Sequence, residues 1–363
     1  MYNVLKGWID QHLSDEEAVL FTAILALSIV IIVTMGAVLG PLFAGIVFAY
    51  VMQGVIKTLA RYQIPNAIAV MLTFLVFLGG FIGFLFLIIP RVWRQLRALF
   101  TELPEMVNKS QSVLEKLPEK YPTFISQHQV DLWIELLNSE AADIGQWILS
   151  FSLSQLPIVV TVVVYLLLVP ILVFFLLKDK DQLLGWFLSF LPKERPLMNQ
   201  VGAEMNLQME NYIRGKFIEF LIAGGVSYIF FALFGLNYAA LLAFLVGLSV
   251  IVPYLGLIVV SIPVVIIAYL QYGWSAPFFY VVAGYSLIQS ADGLVLVPLL
   301  FSEAVNLHPI AIILAVLVFG SWWGLWGVFF AIPLATLIKA TMTAWPSNRA
   351  PSEVAPSEIA AGE

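Results

Sequence analysis

The sequence has no cysteine and three histidines, and only 11% of its 363 residues are charged. Without cysteine there is no disulfide, no thiolate metal site and no cysteine nucleophile, so the redox compartment leaves no mark. Three scattered histidines make no ligand cluster, and no metal or other cofactor is expected. The 17 basic and 23 acidic residues give a net charge of −6, with no basic face for nucleic acid. A Gly-rich phosphate loop after a strand is missing, which argues against ATP-driven transport within the chain. Gly-x-Ser-x-Gly, His-Glu-x-x-His and a paired intramembrane Asp set are missing too, which argues against an intramembrane protease or any other enzyme. Segments that alternate apolar and polar residues are absent, and with them an outer-membrane barrel.

What the chain does have is apolar length. Hydrophobic residues make up 61% of it, and the mean hydropathy is +0.97. Ala18–Leu39 and Ala67–Ile89 are apolar all round, each long enough for the roughly 20 helical residues that cross a hydrocarbon core. The fold class is therefore all-α: a polytopic membrane protein with about six full spans, two broken or re-entrant units and a small extramembrane helical domain. If both units cross, the spans number about eight.

Residues 1–17 are acidic, the wrong charge for a cleaved signal, and read as a cytoplasmic amphipathic N-terminus. Spans one to three occupy 18–90, with a tight turn at Gly40-Pro41 and a stop at Pro90. Residues 91–154 turn polar, are divided by Pro104, Pro118 and Pro122, and carry Trp93, Leu96 and Phe100, then Val130, Trp133, Ile134 and Leu137, at helical spacing. They read as the extramembrane domain. A transport core fills 155–346, with span five at Phe217–Phe234, and a disordered tail closes 347–363. Lys57 and Arg61, and then Lys178, Lys180, Lys193 and Arg195, sit in loops that the positive-inside tendency keeps in the cytoplasm, which puts 91–154 in the periplasm of a bacterial inner membrane.

The strongest internal signal is a repeat over 236–270 and 307–338. Leu236, Ala240, Leu242 and Gly256 recur as Leu307, Ala311, Ile313 and Gly327, an offset of 71 (327 − 256), and Ile262-Pro263 recurs as Ile332-Pro333, an offset of 70 (332 − 262). Each unit is an apolar stretch broken near its middle, by Ser249, Pro253 and Gly256 in the first and by Gly320, Gly324 and Gly327 in the second. Each half is too short to cross alone, as in a helical hairpin whose tip lies near midplane. Entered from opposite sides, the units would be inverted repeats, where secondary transporters place their binding sites. The plainer reading is two kinked spans whose glycines serve close packing.

Candidate site residues follow from this layout. Asp292 stands inside an apolar span beside Gln289, and a lone intramembrane carboxylate belongs to a pathway or a paired site; Arg214 and Lys216 are its candidate partners. Ser249, Pro253, Gly256, Gly324, Gly327 and Trp322 lie at the breaks. Asn211, Arg214 and Lys216 read as interfacial anchors at the start of span five. His308, with Glu303 and Asn306 before it, is either a proton relay or a helix start before Pro309.

The runs Gln289-Ser-Ala-Asp-Gly, Glu303-Ala-Val-Asn-Leu-His-Pro309 and Trp323-Gly-Leu-Trp-Gly-Val-Phe-Phe-Ala-Ile-Pro333, with Leu176-Leu-Lys-Asp-Lys180 and Asn211-Tyr-Ile-Arg-Gly-Lys216 before them, resemble the autoinducer-2 exporter family. The resemblance runs from about Asp15 to Pro346. It implies a bacterial inner-membrane exporter of a small polar or amphiphilic solute, autoinducer-2-like, assembled as a homo-oligomer, pentameric in the family, and moving cargo by an elevator-like motion. Leu257 stands where many relatives carry Pro. Proposed sodium/proton antiporters in the family add a coupling ion, and an antiporter, as one alternative. The other is an oligomeric scaffold whose periplasmic domain recruits envelope or lipid-handling proteins.

Overall fold

The computed structural model describes residues 16–120, 122, 125–136, 138, 139, 146, 155–301 and 307–345. Glu303, Asn306, the tail over 347–363 and residues 1–15 lie outside the described residues. Those described are helical, without a strand, and eight of their segments are long and apolar enough to cross a membrane. The protein is an all-α polytopic membrane protein.

In chain order the main helices are α1 (Glu16–Arg61), α2 (Asn66–Gly83), α3 (Ile89–Leu114), α4 (Gln155–Lys178), α5 (Lys180–Leu188), α6 (Pro196–Leu233), α7 (Ala239–Ser249), α8 (Leu255–Tyr272), α9 (Ala276–Ala291), α10 (Val297–Phe301), α11 (Pro309–Phe329) and α12 (Ala331–Ala344). Near its start, Glu17 accepts from the Leu197 and Met198 amides at 3.2 and 2.8 Å. Near the end of α1, Lys57 Nζ lies 2.5 and 2.7 Å from the Glu210 carboxylate oxygens. Leu197 and Glu210 are only about 20 Å apart along α6, whereas a straight helix would hold Glu17 and Lys57 about 60 Å apart. So α1 bends sharply between its apolar halves, Glu17–Gly36 and Val38–Arg61. The tight turn expected at Gly40-Pro41 is instead helical backbone, with Pro41 inside the helix.

Pro90 does not stop the third span. A π-helical segment, Phe84–Ile88, joins α2 to α3, and the Ile89 amide reaches back to Phe84 O, one residue further than an α-helix would. The widened turn lets the helix pass a residue that has no N–H to give. Helix α3 also continues through Pro104. Its Val92, Leu96, Leu99 and Met106 pack on the cluster built around α7 and α8. The helix of span five does not begin at Phe217 either: it is α6, which begins at Pro196.

Each half of the repeat folds back. At the base of the first unit, the Gln271 side chain accepts from the Asn237 amide at 2.7 Å and donates to Gly235 O at 2.8 Å, so the two ends of α7–α8 lie side by side. At its tip Tyr254 takes φ 62°, and a Cβ on Gly256 would fall 1.9 Å from Ser249 O. In the second unit Gly324 takes φ 58° and ψ −135°, and a Cβ on Gly327 would fall 1.8 Å from Phe319 O. Ala315 and Val316 pack against Ala331 and Ala335 across the two legs, and Val252 from the first tip joins that cluster. The first tip therefore meets the legs of the second unit.

Candidate functional site

Where the first tip meets the foot of the second unit there is a cavity of about 530 Å³. Ser249, Val250, Pro253 and Tyr254 reach it from the first tip, Gln289, Asp292, Val297 and Pro298 from α9 and α10, Ile312 and Ile332 from the second unit, and Tyr212, Lys216 and Glu219 from α6. The wall is mostly apolar, with its charge gathered on three side chains.

Asp292 opens a second π-helical segment, Asp292–Leu296. The arrangement repeats that at Pro90: the Val297 amide reaches back to Asp292 O, and Pro298 follows. The span is thus widened where its carboxylate sits. Asp292 Oδ1 is buried and has no hydrogen-bond partner among the described residues. Beside it Gln289 Nε2 donates to Tyr285 Oη at 2.9 Å, and Tyr285 Oη lies 3.1 Å from Ser261 Oγ, a polar chain from the cavity wall to α8.

Lys216 is buried, contrary to its reading as an interfacial anchor. Its Nζ lies 2.8 Å from Glu219 Oε2, donates to Val250 O at 2.7 Å, and sits 5.1 Å from the centre of the Phe301 ring. One ammonium thus joins α6, the first tip and α10. It also means that Lys216 is already partnered, by Glu219 rather than by Asp292. Arg214 is not a partner of Asp292 either: its Nη1 lies 2.7 Å from Glu210 Oε1, in the triad that ties α1 to α6.

The other sequence candidates divide. Ser249, Pro253, Gln289, Asp292 and Lys216 line the cavity; Asn211, Arg214 and His308 are not among its lining residues. His308 is the N-cap of α11, its Nδ1 accepting from the Ile310 amide at 3.3 Å, with Pro309 in the first turn. Trp322 is 52% exposed and packs edge-on against Phe319. Gly256, Gly324 and Gly327 shape the tips without supplying side chains. Sequence reading passed over Glu219 and Tyr212. The available signal for the first was a glutamate three residues after a lysine on an apolar helix, which faces it.

A second polar contact sits at the open end of the first unit. Gln95, Glu102 and Lys109, spaced seven apart on α3, reach the Leu241 amide, the Tyr238 hydroxyl and Leu270 O respectively. Burial, with the Glu102 carboxylate as partner, pushes the Tyr238 phenol well above its usual range.

Comparison with known proteins adds names to this geometry. The sequence profile described as "AI-2E family transporter" matches residues 20–347. PerM of Escherichia coli (strain K12) is 43% identical over 349 residues, which cover 96% of this chain and 99% of that one. YueF of Bacillus subtilis (strain 168) is 25% identical over 304 residues, 82% of this chain and 81% of its own. TqsA of Escherichia coli (strain K12), an "AI-2 transport protein", is 21% identical over 303 residues, 83% of this chain and 84% of its own.

Proposed function

The chain belongs to the AI-2E transporter family, and from that premise, for this multi-pass transporter of the bacterial inner membrane, we propose a secondary transport mechanism centred on the cavity between the first hairpin tip and the foot of the second unit. The cargo is a small polar or amphiphilic solute, exported unchanged. The observation that carries this reading is the convergence of the first tip and the foot of the second unit on one cavity, beside a carboxylate whose Oδ1 is buried and unpartnered among the described residues. Broken helices are tolerated at membrane depth where they line a cavity. There the freed backbone of Ser249–Tyr254 supplies polar contacts that the apolar wall lacks.

Asp292 is the residue that binds or gates, through a coupling cation or through the solute itself. Gln289 stands beside it as a neutral hydrogen-bonding partner for a bound group. Lys216 and Glu219 neutralise one another, so the cavity keeps one net negative charge while Asp292 is ionised. An apolar wall cannot screen that charge, which favours a cation there during part of the cycle. Five copies around a common axis, each with its own cavity, complete the proposed assembly. The test is reconstitution into liposomes with sodium, proton and solute gradients imposed one at a time. Flux driven by one gradient and lost in Asp292→Asn is the expected result. Equal flux in the two proteins under every gradient would send the carboxylate back to a structural role.

A further inference from the structure

A second cavity, of about 470 Å³, lies apart from the first. It is lined by apolar side chains and by Gly202: Phe21 and Ile46 come from α1, Leu191 from the end of the α5 segment, Met198 and Met205 from α6, and Leu334 from α12. No charged residue lines it. Gly202 is the unexpected member. It sits inside α6, where glycine weakens a helix relative to alanine, yet a Cβ placed there would meet nothing within 4 Å. No neighbour in the chain requires that space to be empty. The missing side chain keeps open a groove that the chain itself does not fill.

The surroundings say what fills it. Helix α5 exposes Leu184, Trp186 and Phe187, with Phe190 just beyond it, between Lys178 and Lys180 on one side and Lys193 and Arg195 on the other. An aromatic and aliphatic face flanked by bases is how a short helix lies in the membrane interface. Leu191 and Met198, both in the groove wall, bracket Lys193 and Arg195 in sequence. Arg195 commits Nε to Asn199 and Nη1 to the carbonyls of Leu188 and Pro192, leaving Nη2 without a partner among the described residues. Lys193 is exposed and has no ion pair among them. The segment also holds Asp179, Asp181 and Glu194, so the attraction is local to the end where Lys193 and Arg195 stand.

We propose that this groove is a binding site for one bilayer phospholipid, with an acyl chain over Gly202 and the headgroup phosphate between Lys193 and Arg195. The absence of cysteine gives a direct test. Gly202→Cys is a small change into open space, so the full chain should fold, and the thiol is unique. The protein would be purified in mild detergent after incubation with phosphatidylglycerol vesicles, and the retained phospholipid counted by native mass spectrometry before and after labelling with a bulky aromatic maleimide. Retained lipid in the unlabelled protein and its loss on labelling are expected, with partial loss in Lys193→Gln and no fall in melting temperature. Lipid retention that survives complete labelling would overturn the proposal. So would labelling that splits an oligomer while retained lipid stays constant, since the groove would then be covered by a second copy of the chain.

Discussion

Tyr212 and Lys216 lie one helical turn apart on α6, and each donates to a main-chain carbonyl of a different repeat unit: Tyr212 to Phe329 O at 2.7 Å and Lys216 to Val250 O at 2.7 Å. Side chains four apart share a helix face, so a single face of α6 holds the first tip and the far leg of the second unit in register. The carbonyls it engages are ones freed where the helices break. The cavity exists because both units are fastened to the same post.

That arrangement predicts unequal effects at Lys216. Lys216→Met removes the tie to Val250 and leaves Glu219 buried without its ion, and breaking a buried pair from one side costs about 3–5 kcal/mol. Lys216→Met with Glu219→Gln should regain much of that stability, because the stranded charge is gone, but should not regain flux, because the tie is still missing. Melting temperature and liposome flux on the two variants separate these effects. Recovery of both together would mean that the pair acts only through stability.

Asp292→Asn should fold and assemble as the parent does while losing gradient-driven flux, since the amide keeps the shape and removes the charge. The pH profile of residual flux should flatten with it. The check is flux against pH in proteoliposomes beside a size-exclusion profile. An unchanged profile and rate would leave Asp292 without a transport role.

The extramembrane end of the first unit offers an independent handle. Glu102→Gln keeps a hydrogen-bond acceptor for Tyr238 and should be mild, whereas Glu102→Ala leaves the buried hydroxyl unpaired at a cost of about 1–3 kcal/mol. Hydrogen exchange at residues 238–241 and 268–272 should rise in the alanine variant and much less in the glutamine one. Equal exchange in both would mean that α3 rests on the hairpin without holding it.

Much of the fold was legible in the sequence because apolar length and the repeat are local signals. The matched glycines at 256 and 327 do sit at matched structural positions, each against a carbonyl seven or eight residues earlier. The positive φ falls on Tyr254 and Gly324, while Gly256 and Gly327 answer the close approach of backbone. Helix boundaries were less legible where proline was taken as a stop. Pro90 and Pro104 are both absorbed in helical paths, the first by a π turn whose signature has no simple sequence pattern. Lys216 and Arg214 were misjudged for a related reason. With span five drawn from Phe217, both fell at its entrance, whereas α6 starts at Pro196 and carries them well inside the helix. Their partners, Glu219 and Glu210, follow from helix geometry only once that start is known.

Orientation is open to direct labelling on a cysteine-free background. Single cysteines at Ser126 and at the 72%-exposed Trp274 should react with a membrane-impermeant maleimide from the periplasm, and one at Ser189 from the cytoplasm. Trp274 is the informative site, because it follows the base where Gln271 joins Gly235 and Asn237. Cytoplasmic labelling there would mean that the bond pattern at the base does not survive in the membrane and that α7–α8 crosses fully.

The paired tips give the sharpest prediction. A methyl at Gly256 or Gly327 would fall inside the van der Waals radius of a main-chain carbonyl, Ser249 O in one case and Phe319 O in the other, and backbone gives way less readily than the end of a side chain. Overpacking of this kind costs about 1–3 kcal/mol, and here it is directed at the curvature of the tip. Gly256→Val and Gly327→Val should each reduce flux by more than the fall in melting temperature explains, although valine is well tolerated in lipid. Because Val252 of the first tip packs on the legs that the second tip joins, the double variant should fall short of the sum of the single effects, as residues that share partners do. Gly79→Val and Gly80→Val, where an added Cβ meets nothing within 4 Å, are the controls and should leave flux near the parent value. Flux and melting temperature measured on the parent and all five variants decide the matter. Full flux in both tip variants would reduce the breaks to packing features and would leave the proposed midplane site resting on family membership alone.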